Sequence, residues 1–209
     1  MPSDVYEELK RRIVDLDLRP GESLREKELG DEFSVSRTPI REAIIRLEAD
    51  GLVKTDRGRG AHVTEVSLQN LKESFELRMY LTDLVGRLVV SRATESELAE
   101  MEALLKRIEA ETDASILRRL DLEFHGLLER ATHNTLLAEA MGRLRNQLSR
   151  VWDSNIPAGD DHYFSRIREE FRALVDAARA KDGEAVARHL REHLSRFVDE
   201  IIGFSSSDR

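Results

Sequence analysis

The chain has 209 residues, of which 40% are hydrophobic and 35% are charged, so it can bury a core and is expected to hold one small and one larger domain. It contains no cysteine, which excludes disulfides and thiolate chemistry. No apolar run approaches the roughly 18 residues of a membrane-spanning helix, and the N-terminus lacks the pattern of a targeting signal. We therefore expect a cytoplasmic, mostly helical protein with no membrane partner.

The formal net charge of −8 argues against a nucleic-acid partner unless the basic residues are concentrated on one face. Between Arg37 and Arg59, six basic residues outnumber four acidic ones. An acidic chain can therefore carry a local basic surface, which would bind DNA through the placement of a few charges rather than through its total charge.

Three helices are predicted near the N-terminus. Apolar residues three or four positions apart predict the first over 4–17, and a shorter one follows over about 25–33. For the third we predict Thr38 as N-cap, Pro39 as first helical residue and Gly51 as the stop. Its apolar residues have the spacing of one buried face: Ile40, Ala43, Ile44 and Leu47.

Two short β-prone runs, 52–55 and 61–66, flank a basic, glycine-rich segment, which predicts a β-hairpin wing. Two helices joined by a tight turn, with arginines at the start of the second, form a helix-turn-helix, whose second helix enters the major groove of DNA. Arginines of the wing can enter a minor groove. His62 and His133 are expected at the surface.

Several motifs occur in order along this region: Leu-Arg-Pro-Gly at 18–21, Ser-Arg-Thr-Pro at 36–39, Arg-Glu-Ala at 41–43, Leu47, Gly-Leu-Val at 51–53 and Gly-Arg-Gly at 58–60. With them, residues 5–66 resemble the winged helix-turn-helix of the GntR family of bacterial transcription regulators. Ile45 stands where that family often has a basic residue. The resemblance and the basic wing together give these candidate DNA contacts: Lys27, Arg37, Thr38, Arg41, Arg57, Gly58 and Arg59.

The rest of the chain predicts helices and no strand. The helices are expected over about 68–93, 98–110, 113–133, 134–151, 161–180 and 182–203, the second of them after a capping box at 94–97. The predicted fold is therefore mainly α, with a winged helix-turn-helix domain over 1–66 and an all-α antiparallel bundle of about six helices over 67–209.

Asp121 and His125 are four residues apart on one predicted helix, so both side chains leave the same face. His189 and His193 repeat that spacing near the C-terminus. If these groups converge, they can hold Zn, Ni or Mn, or orient a small anion. The alternative is that they lie on solvated helix faces.

The segment Glu76-Leu77-Arg78, the Asp121/His125 pair, the helix start at Asn134 and the late His193 resemble the FCD ligand-binding domain of the FadR subfamily. Many such domains hold a metal with an Asp, a His four residues later, a third ligand on the penultimate helix and a last His. Here the third position is Phe171, which cannot bind a metal.

The resemblance therefore leaves alternatives open. Asp121, His125 and His193 can hold a divalent metal with water completing the site, His189 can substitute for the missing ligand, or the domain binds its effector without metal. The resemblance implies a small organic acid as effector. Arg78 and Arg145 are candidates to bind it, with ordinary surface ion pairs as the alternative role.

The leading functional hypothesis is a ligand-responsive transcription regulator, a repressor or an activator, that binds a two-fold operator on double-stranded DNA as a homodimer. Two alternatives differ from it. One is a DNA-binding dimer whose helical domain only dimerises. The other is a DNA-tethered metalloenzyme, for which the sequence offers no nucleophile motif, no Ser/His/Asp order and no HExxH. We expect no enzymatic activity.

Overall fold

The computed structural model describes residues 5–65, 67–150 and 161–202, with only the backbone described at 68, 161–163 and 197–202. Within these ranges the chain forms nine helices and one two-stranded sheet, which confirms the predicted mainly α class. None of the helices in the described ranges is both long enough and apolar enough to cross a membrane.

The first part of the chain contains three helices and the sheet. Their bounds are α1 Val5–Val14, α2 Glu26–Phe33, α3 Arg37–Ala49, β1 Val53–Asp56 and β2 Gly60–Val63. The remaining helices are α4 Leu68–Arg92, α5 Glu95–Ala110, α6 Ala114–Arg130, α7 Thr135–Ser149, α8 Asp161–Arg179 and α9 Gly183–Ile202. These six confirm the predicted helical second part.

Helix α3 begins earlier than predicted. Ser36 is its N-cap residue in extended conformation, and the helix starts at Arg37, so Thr38 is not the cap. Pro39 is tolerated inside the first turn because the N–H groups there have no intrahelical partner. The predicted stop is confirmed: Gly51 has a φ of 73°, in the left-handed region that a residue without Cβ adopts at low cost.

Strands β1 and β2 form the predicted hairpin, with Val53 opposite Val63 and Asp56 opposite Gly60. The α1–α2 connection adds to it, since Ser23 forms an isolated bridge with His62. His62 is therefore buried, and its predicted surface position is wrong, because an extra segment covers that strand. His133 is exposed, as predicted.

Contacts divide the chain into two compact units, and α4 and α7 contribute residues to both. The first unit runs to Ser74 and includes the end of α7 from Arg143; the second contains 75–142 and the described residues from 161. The predicted division between 66 and 67 stays a prediction.

The first unit is held by an apolar core and by a polar cluster between α1 and α3. Leu9, Ile13, Ile40, Leu47 and Leu52 have no exposed surface.

The cluster is centred on Tyr6, whose hydroxyl donates to Asp50 (2.6 Å) and accepts from Lys10 (3.0 Å). The Arg46 guanidinium lies over its ring at 3.6 Å from the centroid. Burial and the hydrogen bond to Asp50 raise the pKa of Tyr6 above its ordinary value, so the hydroxyl stays protonated and can donate.

The end of α7 and the residue that follows it, Arg150, also belong to this unit. Gln147 Nε2 donates to the carbonyl of Gly51 (3.1 Å), and Arg150 Nη1 donates to the carbonyl of Thr64 (2.7 Å). Burial lowers the pKa of Arg150 to about 10, so its side chain stays charged at neutral pH. These bonds pair backbone carbonyls on both sides of the sheet segment.

The second unit packs its helices around an apolar core. Buried residues include Met101, Ile108, Phe124, Leu128, Phe171, Leu174 and Val186. Thr94 and Glu97 form the predicted capping box at the start of α5. Helices α4 and α9 approach closely at two glycines, because a Cβ on Gly86 would lie 2.5 Å from the Gly183 carbonyl oxygen. This contact fixes where α9, with its histidines, begins.

We predict that Tyr6→Phe lowers the free energy of unfolding by about 1 kcal/mol, because it removes a hydroxyl with two partners while keeping the ring under Arg46. Tyr80→Phe is the matched control, since Tyr80 is 82% exposed and should lose almost nothing. Urea unfolding of the full chain measures both. Equal losses for the two variants would contradict the role given to the Tyr6 cluster.

Candidate functional site

The structure places the predicted DNA-contacting residues on three exposed features of the first unit: the start of α3, the turn between β1 and β2 and, for Lys27, helix α2. Arg37, Thr38 and Arg41 are exposed at the N-terminal half of α3. Arg57 and Gly58 are exposed in the turn between β1 and β2. Helix N–H groups and guanidinium groups are both suited to phosphate oxygens, so these features agree with the predicted use of α3 and the wing.

A groove of about 780 Å³ lies between α2, α3 and the sheet. Lys27, Arg41 and Arg59 line it, and Glu26 and Glu48 are its acidic members. Both acidic groups have partners. Glu26 accepts a 2.7 Å hydrogen bond from Arg41 Nε, which holds the exposed guanidinium near α2.

Glu48 links α3 to the wing. Its carboxylate accepts hydrogen bonds from the backbone N–H of Thr55 (3.0 Å) and from the Thr55 hydroxyl (3.4 Å). The wing is thereby held against the C-terminal half of α3, and its orientation is not left to the hairpin alone. Sequence reasoning missed Glu26 and Glu48, because neither helix spacing nor charge identifies a carboxylate that orients a neighbouring element.

In the second unit, Asp121 and His125 on α6 meet His193 on α9. Their ligand atoms all lie within 4.8 Å of one another, and all three residues are buried. His125 Nε2 is 3.2 Å from His193 Nε2, and Asp121 Oδ1 is 3.8 Å from each of these nitrogens. The predicted convergence of these three residues is thus present in the fold.

These separations suit a metal ion. Ligands about 2.0–2.1 Å from a tetrahedral ion lie about 3.3 Å from one another, close to the three distances between Asp121, His125 and His193. One carboxylate and two imidazoles are a donor set for Zn, Ni or Mn. The residues present therefore fit a divalent ion, with no large rearrangement of the side chains.

Phe171 on α8 fills the place beside both histidines. Its ring is fully buried, with centroids 5.7 Å from His125 and 5.5 Å from His193, and it stacks on Phe124 at 4.4 Å. The position that carries a ligand in the resembling domains is thus next to the cluster here, and an apolar ring occupies it.

Glu170, the residue before Phe171, reaches the site from the other side of His193. Its Oε2 lies 2.7 Å from His193 Nδ1, and its Oε1 lies 2.6 Å from Arg196 Nε. Burial opposes its ionisation, but the hydrogen bond from His193 and the charges of Arg196 and Arg166 outweigh it, so the pKa of Glu170 is below its ordinary value.

A carboxylate that accepts from Nδ1–H leaves the Nε2 lone pair of a neutral imidazole free to bind a metal. Glu170 therefore orients His193 toward Asp121 and His125. The sequence did not predict this role of Glu170, because the resemblance to FCD domains concerns position 171, where metal-binding members carry their third ligand. The only sign of the Glu170–His193 pair in the sequence is that an acidic residue directly precedes position 171.

His189, the predicted substitute ligand, is one turn before His193. Its Nδ1 faces Glu192 at 3.6 Å, and it is not among the three residues whose ligand atoms converge. His189 therefore serves as a control for His193, because it lies on the same helix but outside the converging group.

A small cavity of about 10 Å³ lies next to the histidines. Its polar lining comes from Arg78, Thr82 and Glu129, together with His125 and His193. Arg78 is buried, so the alternative of a surface ion pair is wrong for it. Arg145 is half-buried and groups with the first unit.

Two family profiles match the chain. Residues 73–196 match the FCD domain, and residues 2–63 match the bacterial regulatory proteins of the gntR family. The chain belongs to the GntR family. It is a transcription regulator with an FCD domain, and FCD domains bind small-molecule effectors.

Individual relatives agree over nearly the whole length. The HTH-type transcriptional regulator YdhC of Bacillus subtilis is 32% identical over 200 residues, covering 94% of this chain and 88% of YdhC. The galactonate operon transcriptional repressor of Escherichia coli is 30% identical over 202 residues, covering 85% and 86%. The solved structure of E. coli McbR/YncC shares the fold, with a TM-score of 0.80 at 23% identity over 95% of each chain.

Proposed function

We propose that this GntR regulator binds a two-fold operator as a homodimer and that a small organic acid, bound next to a divalent metal in the helical unit, alters its DNA affinity. The observation that carries the proposal is the buried group of Asp121, His125 and His193 beside the buried Arg78. Buried charged and polar groups cost free energy unless they are well paired, so such a cluster is more often kept for function than for stability.

The metal would be held by Asp121, His125 and His193, and it would supply a positive charge that attracts a carboxylate oxygen. The chain's own groups supply the rest. Glu170 orients His193, and Arg78 on the cavity wall can pair with the acid in two-pronged fashion. One relative is named a galactonate operon repressor, and galactonate is a carboxylate, which favours this class of effector and a repressor role.

The cavity holds about one water-sized group, so an organic acid needs its walls to move. Those walls come from α4, α6, α7 and α9. If this movement changes helix positions, the effector would bind one arrangement more tightly than the other, which is what a regulatory response requires.

Exposed apolar residues support the homodimer. Leu77 and Tyr80 lie three residues apart on α4, and Leu136 is exposed on α7. Large exposed apolar side chains often belong to interfaces. We propose that residues 1–66 form the DNA-binding domain and that residues 67–209 form the effector-binding and dimerisation domain. The dimer would then present one α3 to each half-site of an operator. Since it acts on bacterial DNA, we propose that it works in the cytoplasm.

We predict that Arg41→Ala lowers affinity for the selected operator by about 1–3 kcal/mol and relaxes sequence preference, because a base contact is lost. Arg59→Ala should weaken binding to all sequences and reduce the salt slope by about one, because a phosphate contact is lost. Fluorescence anisotropy on operator and random duplexes at several salt concentrations measures both.

Arg107→Ala is the control for the DNA variants. It removes an equally exposed arginine, paired with Glu123, in the second unit, so it changes the total charge by the same amount. The assignment of Arg41 as a base contact would be refuted if Arg107→Ala reduced DNA affinity as much as Arg41→Ala. It would also be refuted if Arg41→Ala lost the same affinity for the operator and for the random duplex.

We predict about one divalent metal per chain after incubation of tag-free, chelator-free protein with Zn²⁺, Ni²⁺ or Mn²⁺. His193→Ala should lose it and His189→Ala should retain it, because only His193 belongs to the converging group. Inductively coupled plasma mass spectrometry measures the content. If wild type binds none of the three ions, the domain binds its effector without metal; equal loss in both variants would contradict the assigned ligands.

We predict that Phe171→His retains metal longer against a chelator than wild type does, because an imidazole at this position lies beside His125 and His193. Phe171→Leu is the control: it removes the ring and adds no ligand, so it should not tighten binding. Competition with a fluorescent chelator measures retention. An unchanged or shorter retention in Phe171→His would argue that position 171 faces the site only as packing.

A further inference from the structure

A single large apolar side chain is exposed on the face of α3 that carries the DNA-contacting arginines. Ile45 is 64% exposed. Three other large apolar side chains are comparably exposed within the described ranges, and Leu77, Tyr80 and Leu136 all belong to the second unit. A single exposed apolar side chain is common on protein surfaces, so what distinguishes Ile45 is its position among the basic residues of the groove.

Ile45 lies one helical turn after Arg41, which itself lies one turn after Arg37. Residues four apart on a helix are neighbours on one face. Arg41, Ile45 and Glu48 line the groove between α2, α3 and the sheet, so Ile45 follows the same line along the surface as the two arginines.

The residues around Ile45 determine which kind of molecule can bind over it. Four basic residues line the same groove against two acidic ones, so it carries a net positive charge: Arg25, Lys27, Arg41 and Arg59 against Glu26 and Glu48. An apolar partner protein would have to desolvate these cations, whereas a DNA major groove brings phosphates to them and base edges to the middle of the helix. The charge therefore selects DNA as the occupant of this surface.

An isoleucine has neither donor nor acceptor, so it cannot read the polar edge of a base. In the major groove, the 5-methyl group of thymine is the apolar group that an aliphatic side chain can contact. Cytosine has a hydrogen in place of that methyl group, and its neighbouring 4-amino donor would face the isoleucine without a partner. The β-branched side chain is also confined to essentially one χ1 rotamer in a helix, so little side-chain entropy is lost on contact.

We propose that Ile45 determines specificity for a T·A base pair in each half-site by packing on the thymine methyl group. One helical turn advances about 5.4 Å and one base pair about 3.4 Å, so this pair lies one or two steps from the base contacted by Arg41. The proposal rests on the proposed function, since it requires that α3 enters the major groove.

The test removes the methyl group from the DNA rather than from the protein. Full-length protein first selects duplexes from a random pool; each thymine of the selected site is then replaced singly by deoxyuridine, which keeps base pairing and lacks only the methyl. At one position per half-site, wild type should lose about fourfold in affinity, the size of one buried carbon group.

Two variants complete the comparison. Ile45→Ala should bind thymine and deoxyuridine duplexes equally at that position, and Ile45→Val should keep most of the difference, because it keeps a branched methyl. Deoxyuridine at the other positions is the control within the DNA. The proposal is overturned if wild type shows no deoxyuridine effect at any position, or if Ile45→Ala keeps the same fourfold effect. A pool that yields no enriched sequence overturns the proposed function itself, which separates the two failures.

Discussion

The hydrogen bond between Glu170 and His193 joins α8 to α9 and orients one of the three converging side chains of the helical unit. It places a carboxylate and an imidazole, both buried, 2.7 Å apart between α8 and α9. An isolated charge at such depth would be costly; burial raises the pKa of Glu170, but the hydrogen bond from His193 and the charges of Arg196 and Arg166 outweigh it and keep the pKa below its ordinary value. Removal of His193, Arg166 or Arg196 would leave the buried charge of Glu170 with fewer compensating partners.

The rest of the cluster follows from this bond. It fixes the ring of His193, whose other nitrogen then points at His125 and Asp121 one turn apart on α6. The close approach of Gly86 and Gly183 fixes the start of α9 against α4, and it thereby fixes the position along α9 at which His193 lies opposite α6. A site built from three helices needs such fixed points, because a shift of one residue along a helix rotates a side chain by about 100°.

Local patterns predicted most of the fold. The capping box at Thr94, the stop at Gly51 and the β-hairpin are each governed by residues a few positions apart, and each is present. The convergence of Asp121, His125 and His193 was also predicted, although the spacing alone left it undecided and the resemblance to FCD domains indicated it.

The errors and omissions concern contacts between distant segments. His62 was expected at the surface because strand alternation carries no information about the α1–α2 connection that covers it at Ser23. Glu170 was overlooked because its partner is 23 residues away on another helix. The N-cap of α3 is Ser36 rather than the predicted Thr38, because serine and threonine are both good capping residues and the local sequence does not choose between them.

The small size of the cavity beside the histidines has a kinetic consequence. About 10 Å³ between Arg78, Thr82 and Glu129 admits no effector larger than a water molecule at the rate of diffusion, because packed side chains must first separate. If effector binding waits for that opening, the observed association rate will level off as the effector concentration rises, at the rate of the opening itself. Such a regulator would respond to the sustained level of its effector and would filter out brief fluctuations.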